Sequence, residues 1–144
     1  MKKDIKSWRS GLPQDTTKIA LELSKTLQPG DILLLDGDLG SGKTFLVQEI
    51  CKAWRVTEAV TSPTFTLMHH YHGHHAVNHL DLYRIENRDE LIQLGWEDAL
   101  FSDAISFVEW PQLLEDQLTE YYKISISFED NYRNFLFVKH NTSL

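Results

Sequence analysis

Apolar positions recur along this chain with two different periods, and their alternation sets out the fold. Ile19, Ala20, Leu23 and Leu27 lie one, three and four residues apart, the spacing of one helix face. Pro13 and Asp15 open that stretch, Asp15 or Thr16 can cap it, and Pro29-Gly30 ends it. Residues 32–35 are then apolar without a break and are bounded by Asp31 and Asp36. Such a run predicts a strand buried on both faces, as in a parallel sheet. After a glycine-rich turn from Gly37 to Gly42, Phe45, Leu46, Ile50, Ala53 and Trp54 return to helical spacing. The order is strand, glycine loop, helix.

The pattern continues to the end of the chain. Residues 64–71 and 76–83 read as two extended segments around His72-Gly73-His74-His75, a hairpin. A helix is predicted over 88–100, with Leu91, Leu94 and Ala99 among its apolar positions. Ala104–Val108 is a second apolar strand, ending in Glu109. Pro111 suits the first turn of a helix running to about Thr119. Residues 122–128 and 134–139 are strands separated by the polar turn Glu129-Asp-Asn131, and residues 4–9 suit a short edge strand. No repeat or linker divides the chain, so residues 1–144 read as one domain. The predicted class is α/β: a mixed, mostly parallel sheet flanked by helices, with antiparallel hairpins added.

Composition narrows the classes. The chain has 144 residues, of which 42% are hydrophobic and 24% charged, the mix of a globular domain. The longest apolar run is residues 32–35, far short of the about 20 that a membrane-spanning helix needs. Lys2 and Lys3 are followed by no apolar core, so a secretory signal is not expected. The one cysteine, Cys51, cannot form an internal disulfide and sits at a core position of a predicted helix, which fits a reducing, cytoplasmic setting. A net charge of −7 repels phosphate backbones, so nucleic acid binding by the chain alone is not expected, whereas a basic protein partner would suit it.

The segment with the clearest chemistry is Gly37-Asp38-Leu39-Gly40-Ser41-Gly42-Lys43-Thr44, which matches G-x-x-x-x-G-K-[ST] in its required setting between a buried strand and a helix. Small residues let such a loop wrap closely, so that backbone N–H groups point at phosphate oxygens. The following helix adds the positive end of its dipole. Lys43 can reach the β- and γ-phosphates of a nucleotide, and Thr44 can place its hydroxyl on Mg2+. The site also needs a carboxylate from a neighbouring parallel strand. Glu109 has that position and would hold the ion directly or through water. Asp81, at the end of the 76–81 segment, is the other candidate, either as metal ligand or as the group that orients the attacking water.

Three further segments accompany the loop: Ser62-Pro-Thr-Phe65, His79-Leu-Asp-Leu-Tyr-Arg84 and Val108-Glu-Trp110. In this order and at this spacing the four motifs resemble the bacterial TsaE family, also called YjeE, over roughly residues 14–112. The resemblance implies a P-loop NTPase-like fold and a small ATPase that uses ATP and Mg2+. Members of this family serve the synthesis of threonylcarbamoyladenosine in tRNA. They act on the complex of TsaD and TsaB and hydrolyse ATP to reset it between rounds, while TsaC makes the activated donor. Carried over position by position, Lys43 and Thr44 are the triphosphate and magnesium residues, and Glu109 completes the magnesium shell. Residues 62–65 are a first switch that senses the γ-phosphate. His79–Arg84 is a second, with Asp81 needed for hydrolysis. Thr16, with Thr17 beside it, matches a threonine that touches the nucleotide, and Trp110 matches a tryptophan close to it. Many relatives have Ala where Ser41 stands and Thr where Phe45 stands; Phe45 is expected to pack inward from its helix.

The expected chemistry is direct attack of water on the γ-phosphate, with Asp81 orienting the water and Lys43, the loop amides and Mg2+ balancing charge. None of the five arginines stands out as a finger, Arg84 being the nearest to a switch. Hydrolysis by the chain alone is therefore expected to be slow, with a partner completing the site. A nucleotide-dependent regulator without important turnover would use the same loop, and a small-molecule kinase would need a cationic lid. Six of the seven histidines fall between His69 and His79. Alternation in a strand could bring His70, His72 and His74 onto one face as metal ligands. With no cysteine nearby, a solvated hairpin tip is the plainer reading.

Overall fold

Leu33 and Leu35 face one hydrophobic core and Ile32 and Leu34 face another, and all four are buried. The unbroken apolar run predicted this two-sided burial, and the rest of the chain is arranged around it. The computed structural model describes residues 2–61 and 67–141. Its elements in order are β1 (Lys2–Ser10), α1 (Pro13–Thr26), β2 (Ile32–Asp36), α2 (Lys43–Ala53), β3 (Met68–His72), β4 (Ala76–Asp81), α3 (Arg88–Leu94), α4 (Trp96–Leu100), β5 (Ile105–Glu109), two short 3-10 turns (Pro111–Leu113 and Glu115–Gln117), β6 (Glu120–Glu129) and β7 (Tyr132–Asn141). The strands form one seven-stranded sheet in the order β1-β7-β6-β2-β5-β4-β3. β6, β2, β5 and β4 are mutually parallel, and antiparallel pairs close both edges.

Helices α1 and α2 cover one face of the sheet, where Ile19, Leu23, Leu46 and Ile50 meet Leu33, Leu35, Phe107 and Ile124. Residues of α3 and α4 cover the other, where Leu91, Trp96 and Leu100 meet Ile32, Leu34 and Val108. The α/β class and the mixed sheet with a parallel core follow the sequence pattern.

Four local expectations change. Helix α1 starts earlier than its predicted caps: Pro13 is its first residue, and the Asp15 carboxylate accepts hydrogen bonds from the Gly11 and Leu12 amides, each at 3.1 Å. Thr16 is buried in its first turn. The predicted 88–100 helix is two helices, because Gly95 adopts φ 77° and ends the first of them. The stretch after Pro111 forms two 3-10 turns and no α-helix. The terminal hairpin is longer than predicted, since Asp130 and Asn131, at φ 51° and 67°, make a two-residue turn that lets pairing begin at Glu129 and Tyr132. No helix among the described residues is long and apolar enough to cross a membrane.

Candidate functional site

The parallel strands β2, β4 and β5 end together, and the register places Asp81 and Leu35 on either side of Glu109. Carboxyl ends of parallel strands are where α/β sheets present their chemistry. The glycine loop leaves β2 here and feeds α2. Gly42 sits at the helix boundary with φ 106°, a conformation that side chains disfavour, and the first α2 amides have no intrahelical acceptor.

Around the loop lies a cavity of about 410 Å³. Leu39, Gly40, Ser41, Gly42, Lys43, Thr44 and Phe45 supply its floor, and Asp81, Arg84, Glu109 and Trp110 supply its walls. Lys43 is buried and donates from Nζ to the Gly37 carbonyl. Its ammonium also lies 3.6 Å from the centre of the Trp110 ring, a cation–π contact. Burial pushes the Lys43 pKa below its ordinary value, against the opposing pull of Glu109, Asp81, Asp36 and Asp38. The lysine is thus a desolvated cation held across the loop, surrounded by carboxylates.

Thr44 Oγ1 lies 3.2 Å from each Glu109 oxygen. Glu109 is only 2% exposed. Its Oε2 is 2.6 Å from Nε2 of His79, a fully buried histidine. His79 Nδ1 lies 3.0 Å from the Tyr71 hydroxyl, which is 3.2 Å from His69 Nδ1. Asp81 is buried at the next strand end, and its Oδ1 accepts from the Tyr83 amide at 3.0 Å. Trp110 sits in the left-handed region at φ 57° and packs on Tyr83, with ring centres 4.9 Å apart. A tryptophan backbone held there is strained; it turns the ring under the Lys43 ammonium.

Most residues singled out in the sequence therefore converge. Gly37 and Asp38 lie on the outer flank of the loop, with Ile126 and Phe128. Thr16 is not in the main cavity. It lines a neighbouring one of about 200 Å³ with Pro13, Gly42 and Phe45, and its hydroxyl is 2.8 Å from Ser10 Oγ. Thr17 instead donates to Glu49 on α2 at 2.7 Å, so Thr16 is the one that faces the loop. Phe45 does not pack inward: Leu46 and Ile50 occupy the inner face of α2, and Phe45 is left half-exposed between the two cavities. The 62–65 segment lies outside the described residues.

The histidines divide rather than cluster. His79 belongs to the site, His70 is tied to Asn78, and His72 is tied to Glu58. Among the described residues no group of three or more His, Cys, Asp or Glu side chains is arranged to hold a metal ion. At the hairpin tip His72, Gly73 and His74 are exposed, as the solvated-tip reading expects, and the His74 amide donates to the Trp54 carbonyl at 2.6 Å. Cys51 is buried, and burial, with Glu58 nearby, pushes its thiol up to about 12, the state of an inert core residue.

Two site residues were given no role of their own by the sequence reading. His79 was named only as the first residue of the His79–Arg84 segment, and its burial against Glu109 follows from the sheet. The other is Arg133, which crosses from β7 to donate Nε to the Ser41 carbonyl at 2.8 Å and lines the smaller cavity. Nothing local in its sequence marks it.

The donor set suits a polyphosphate with a hard cation. A hydroxyl and a carboxylate are oxygen ligands of the kind Mg2+ takes, and among the described residues neither sulfur nor imidazole lines the cavity beside them. The lysine and the helix amides supply the positive partners for phosphate oxygens.

A family model described as threonylcarbamoyl adenosine biosynthesis protein TsaE matches residues 11–135. Similar proteins include a tRNA threonylcarbamoyladenosine biosynthesis protein TsaE from Bacillus subtilis, 37% identical over 114 residues that span 78% of this chain and 71% of that one. Another of the same description, from Rickettsia conorii, is 40% identical over 108 residues spanning 74% of this chain and 61% of that one. Among solved structures, the crystal structure of Bacillus subtilis YdiB superimposes with a TM-score of 0.80 at 31% identity, covering 96% of this chain and 86% of that one.

Proposed function

The chain belongs to the TsaE family of threonylcarbamoyladenosine biosynthesis proteins, and from that premise we propose that it is an ATPase subunit of this tRNA-modification machinery. It binds ATP with Mg2+ in the glycine loop and hydrolyses it to support turnover of a TsaD–TsaB complex, with TsaC acting in the same pathway. The observation that carries this reading is the convergence of Lys43, Thr44, Asp81, Glu109 and Trp110 on one cavity at the carboxyl edge of the sheet.

Each residue has a task that its position suits. The loop amides and Lys43 bind the β- and γ-phosphates, and Lys43 exchanges the Gly37 carbonyl for phosphate oxygen. Thr44 and Glu109 hold Mg2+, which when bound neutralises charge on the phosphate oxygens. Asp81 orients the water that attacks phosphorus, with no covalent intermediate on the protein. Trp110 and Phe45 flank the nucleotide, and Thr16 meets it from the start of α1. Of the arginines, Arg84 stands on the cavity wall and Arg133 grips the loop backbone. Phosphoryl transfer depends on charge placed around the γ-phosphate, and a finger supplied in trans is worth about 10³–10⁵ in rate. Turnover by the chain alone is accordingly slow.

The test is ATP turnover with and without TsaD–TsaB, alongside Lys43→Ala and Asp81→Ala. The reading expects stimulation by the pair and no turnover by Lys43→Ala. Asp81→Ala should still bind ATP but not hydrolyse it. Fast turnover by the chain alone, or full activity of Lys43→Ala, contradicts it. If Asp81→Ala supported modification as well as the unaltered protein, the role would be nucleotide-dependent regulation without hydrolysis. Phosphate arriving on a metabolite would instead mark a kinase.

A further inference from the structure

The buried chain behind Glu109 has a purpose that the nucleotide loop alone does not explain. A histidine with no exposed surface and a carboxylate 2% exposed lie 2.6 Å apart, and the histidine's other nitrogen is engaged as well. A carboxylate only accepts, so Nε2 of His79 donates to Glu109 Oε2. His79 Nδ1 is in turn hydrogen-bonded to the Tyr71 hydroxyl. The Tyr71 hydroxyl is also hydrogen-bonded to His69 Nδ1. The line of hydrogen bonds runs from the outer strand β3 through β4 to the end of β5.

We propose that His79 is a positioning residue for Glu109. Backed by Tyr71 and His69, it fixes the carboxylate's orientation, so that the β3–β4 hairpin sets the divalent-cation affinity of the nucleotide site. This rests on the ATP and Mg2+ reading above. The physical reason is that a glutamate side chain at a strand end can rotate about three bonds, and the Thr44 hydroxyl, whose oxygen stays open to a metal while its one proton goes to Glu109, holds the carboxylate only from the cavity side. A donor buried on the opposite side removes that freedom without entering the metal's surroundings. Supporting hydrogen bonds of this kind to metal ligands are commonly worth about 10–100-fold in affinity. β4 also carries Asp81, two residues on and on the same face, so one strand aims both acidic groups.

The test uses the full chain loaded with ADP and titrated with Mn2+, read by the loss of the free ion's electron paramagnetic resonance signal. ADP affinity without metal and the melting temperature are measured in parallel. His79→Leu should raise the Mn2+ midpoint about 10–100-fold. His79→Gln, whose amide can still donate to Oε2, should recover most of that loss. Tyr71→Phe, which deletes only the hydroxyl behind His79, should raise the midpoint about threefold or more. Metal-free ADP affinity should stay within about twofold throughout. Should His79→Leu fail to fold, Tyr71→Phe and His79→Gln decide. Unchanged midpoints, or equal loss of ADP affinity with and without metal, would overturn the proposal and leave His79 as core filling. If the unaltered protein binds ADP without any metal dependence, the underlying Mg2+ reading fails as well. If it is metal-dependent and the variants match it, only the positioning role fails.

Discussion

Replacing Glu109 by Gln separates what this residue does for the fold from what it does for the ion. The carboxylate lies 3.2 Å from the Thr44 hydroxyl through each oxygen and 2.6 Å from His79. A glutamine can keep that pattern, with its carbonyl towards His79 and its NH2 donating to Thr44 Oγ1, so no buried atom is orphaned. Charge-assisted bonds are about twice as strong as neutral ones, which puts the loss at about 1–3 kcal/mol. Against this, the cost of burying an ion, several kcal/mol before pairing, is lifted. The two nearly cancel, and the nucleotide-free protein should change by no more than about 2 kcal/mol, or about 4–8 °C in melting temperature. The ion has no such compensation. A unit charge and a divalent ion about 4 Å apart attract by about 2 kcal/mol even at the dielectric constant of water, so Mg2+ affinity should fall at least about 30-fold. Thermal melting without nucleotide and ADP binding across a Mg2+ series read the two effects. A melting temperature lowered by more than about 10 °C with unchanged Mg2+ dependence would refute the reasoning and make Glu109 a structural acid.

Two other expectations concern the scaffold. Burial pushes both Cys51 and Tyr71 up to about 12, from ordinary values of 9.0 and 10.0. Between those limits the folded chain holds protons that the unfolded chain releases, so their contribution to stability is complete below pH 9 and is lost as pH rises towards 12. Urea unfolding at about pH 8 and about pH 10.5 should show the fall, Cys51→Val should shrink it, and a flat profile would contradict the burial account. Gly95 has φ 77° and open space where a Cβ would stand, so Gly95→Ala should cost only backbone strain, about 1–2 kcal/mol. Scanning calorimetry should show the melting temperature lower by about 2–8 °C; no change would mean that the α3–α4 break does not depend on that conformation.

Sequence reasoning reached the parts of this molecule whose causes are local. A phosphate loop is eight consecutive residues, and an apolar run such as 32–35 admits few arrangements other than a strand between two cores. Glu109 could be nominated because it closes an apolar strand and Asp81 because it ends the 76–81 segment, and the parallel register then set them side by side. What was missed depends on distance in space. Arg133 reaches the loop from β7, 92 positions away, a contact that only the sheet order creates. His79 was named as the start of a switch segment but given no contact of its own; pairing of β4 between β3 and β5 is what buries it against Glu109. Gly95 was hidden because apolar spacing continues across it, and only its backbone angle shows that the helix does not.

The loop's grip on a nucleotide is the claim everything else depends on, and a crystal structure grown with ADP and Mg2+ tests it most directly. The account predicts the β-phosphate against the amides at the start of α2, with Lys43 released from the Gly37 carbonyl and turned towards phosphate oxygen. Nucleotide bound elsewhere, or seated in the loop with Lys43 still on that carbonyl, would contradict it.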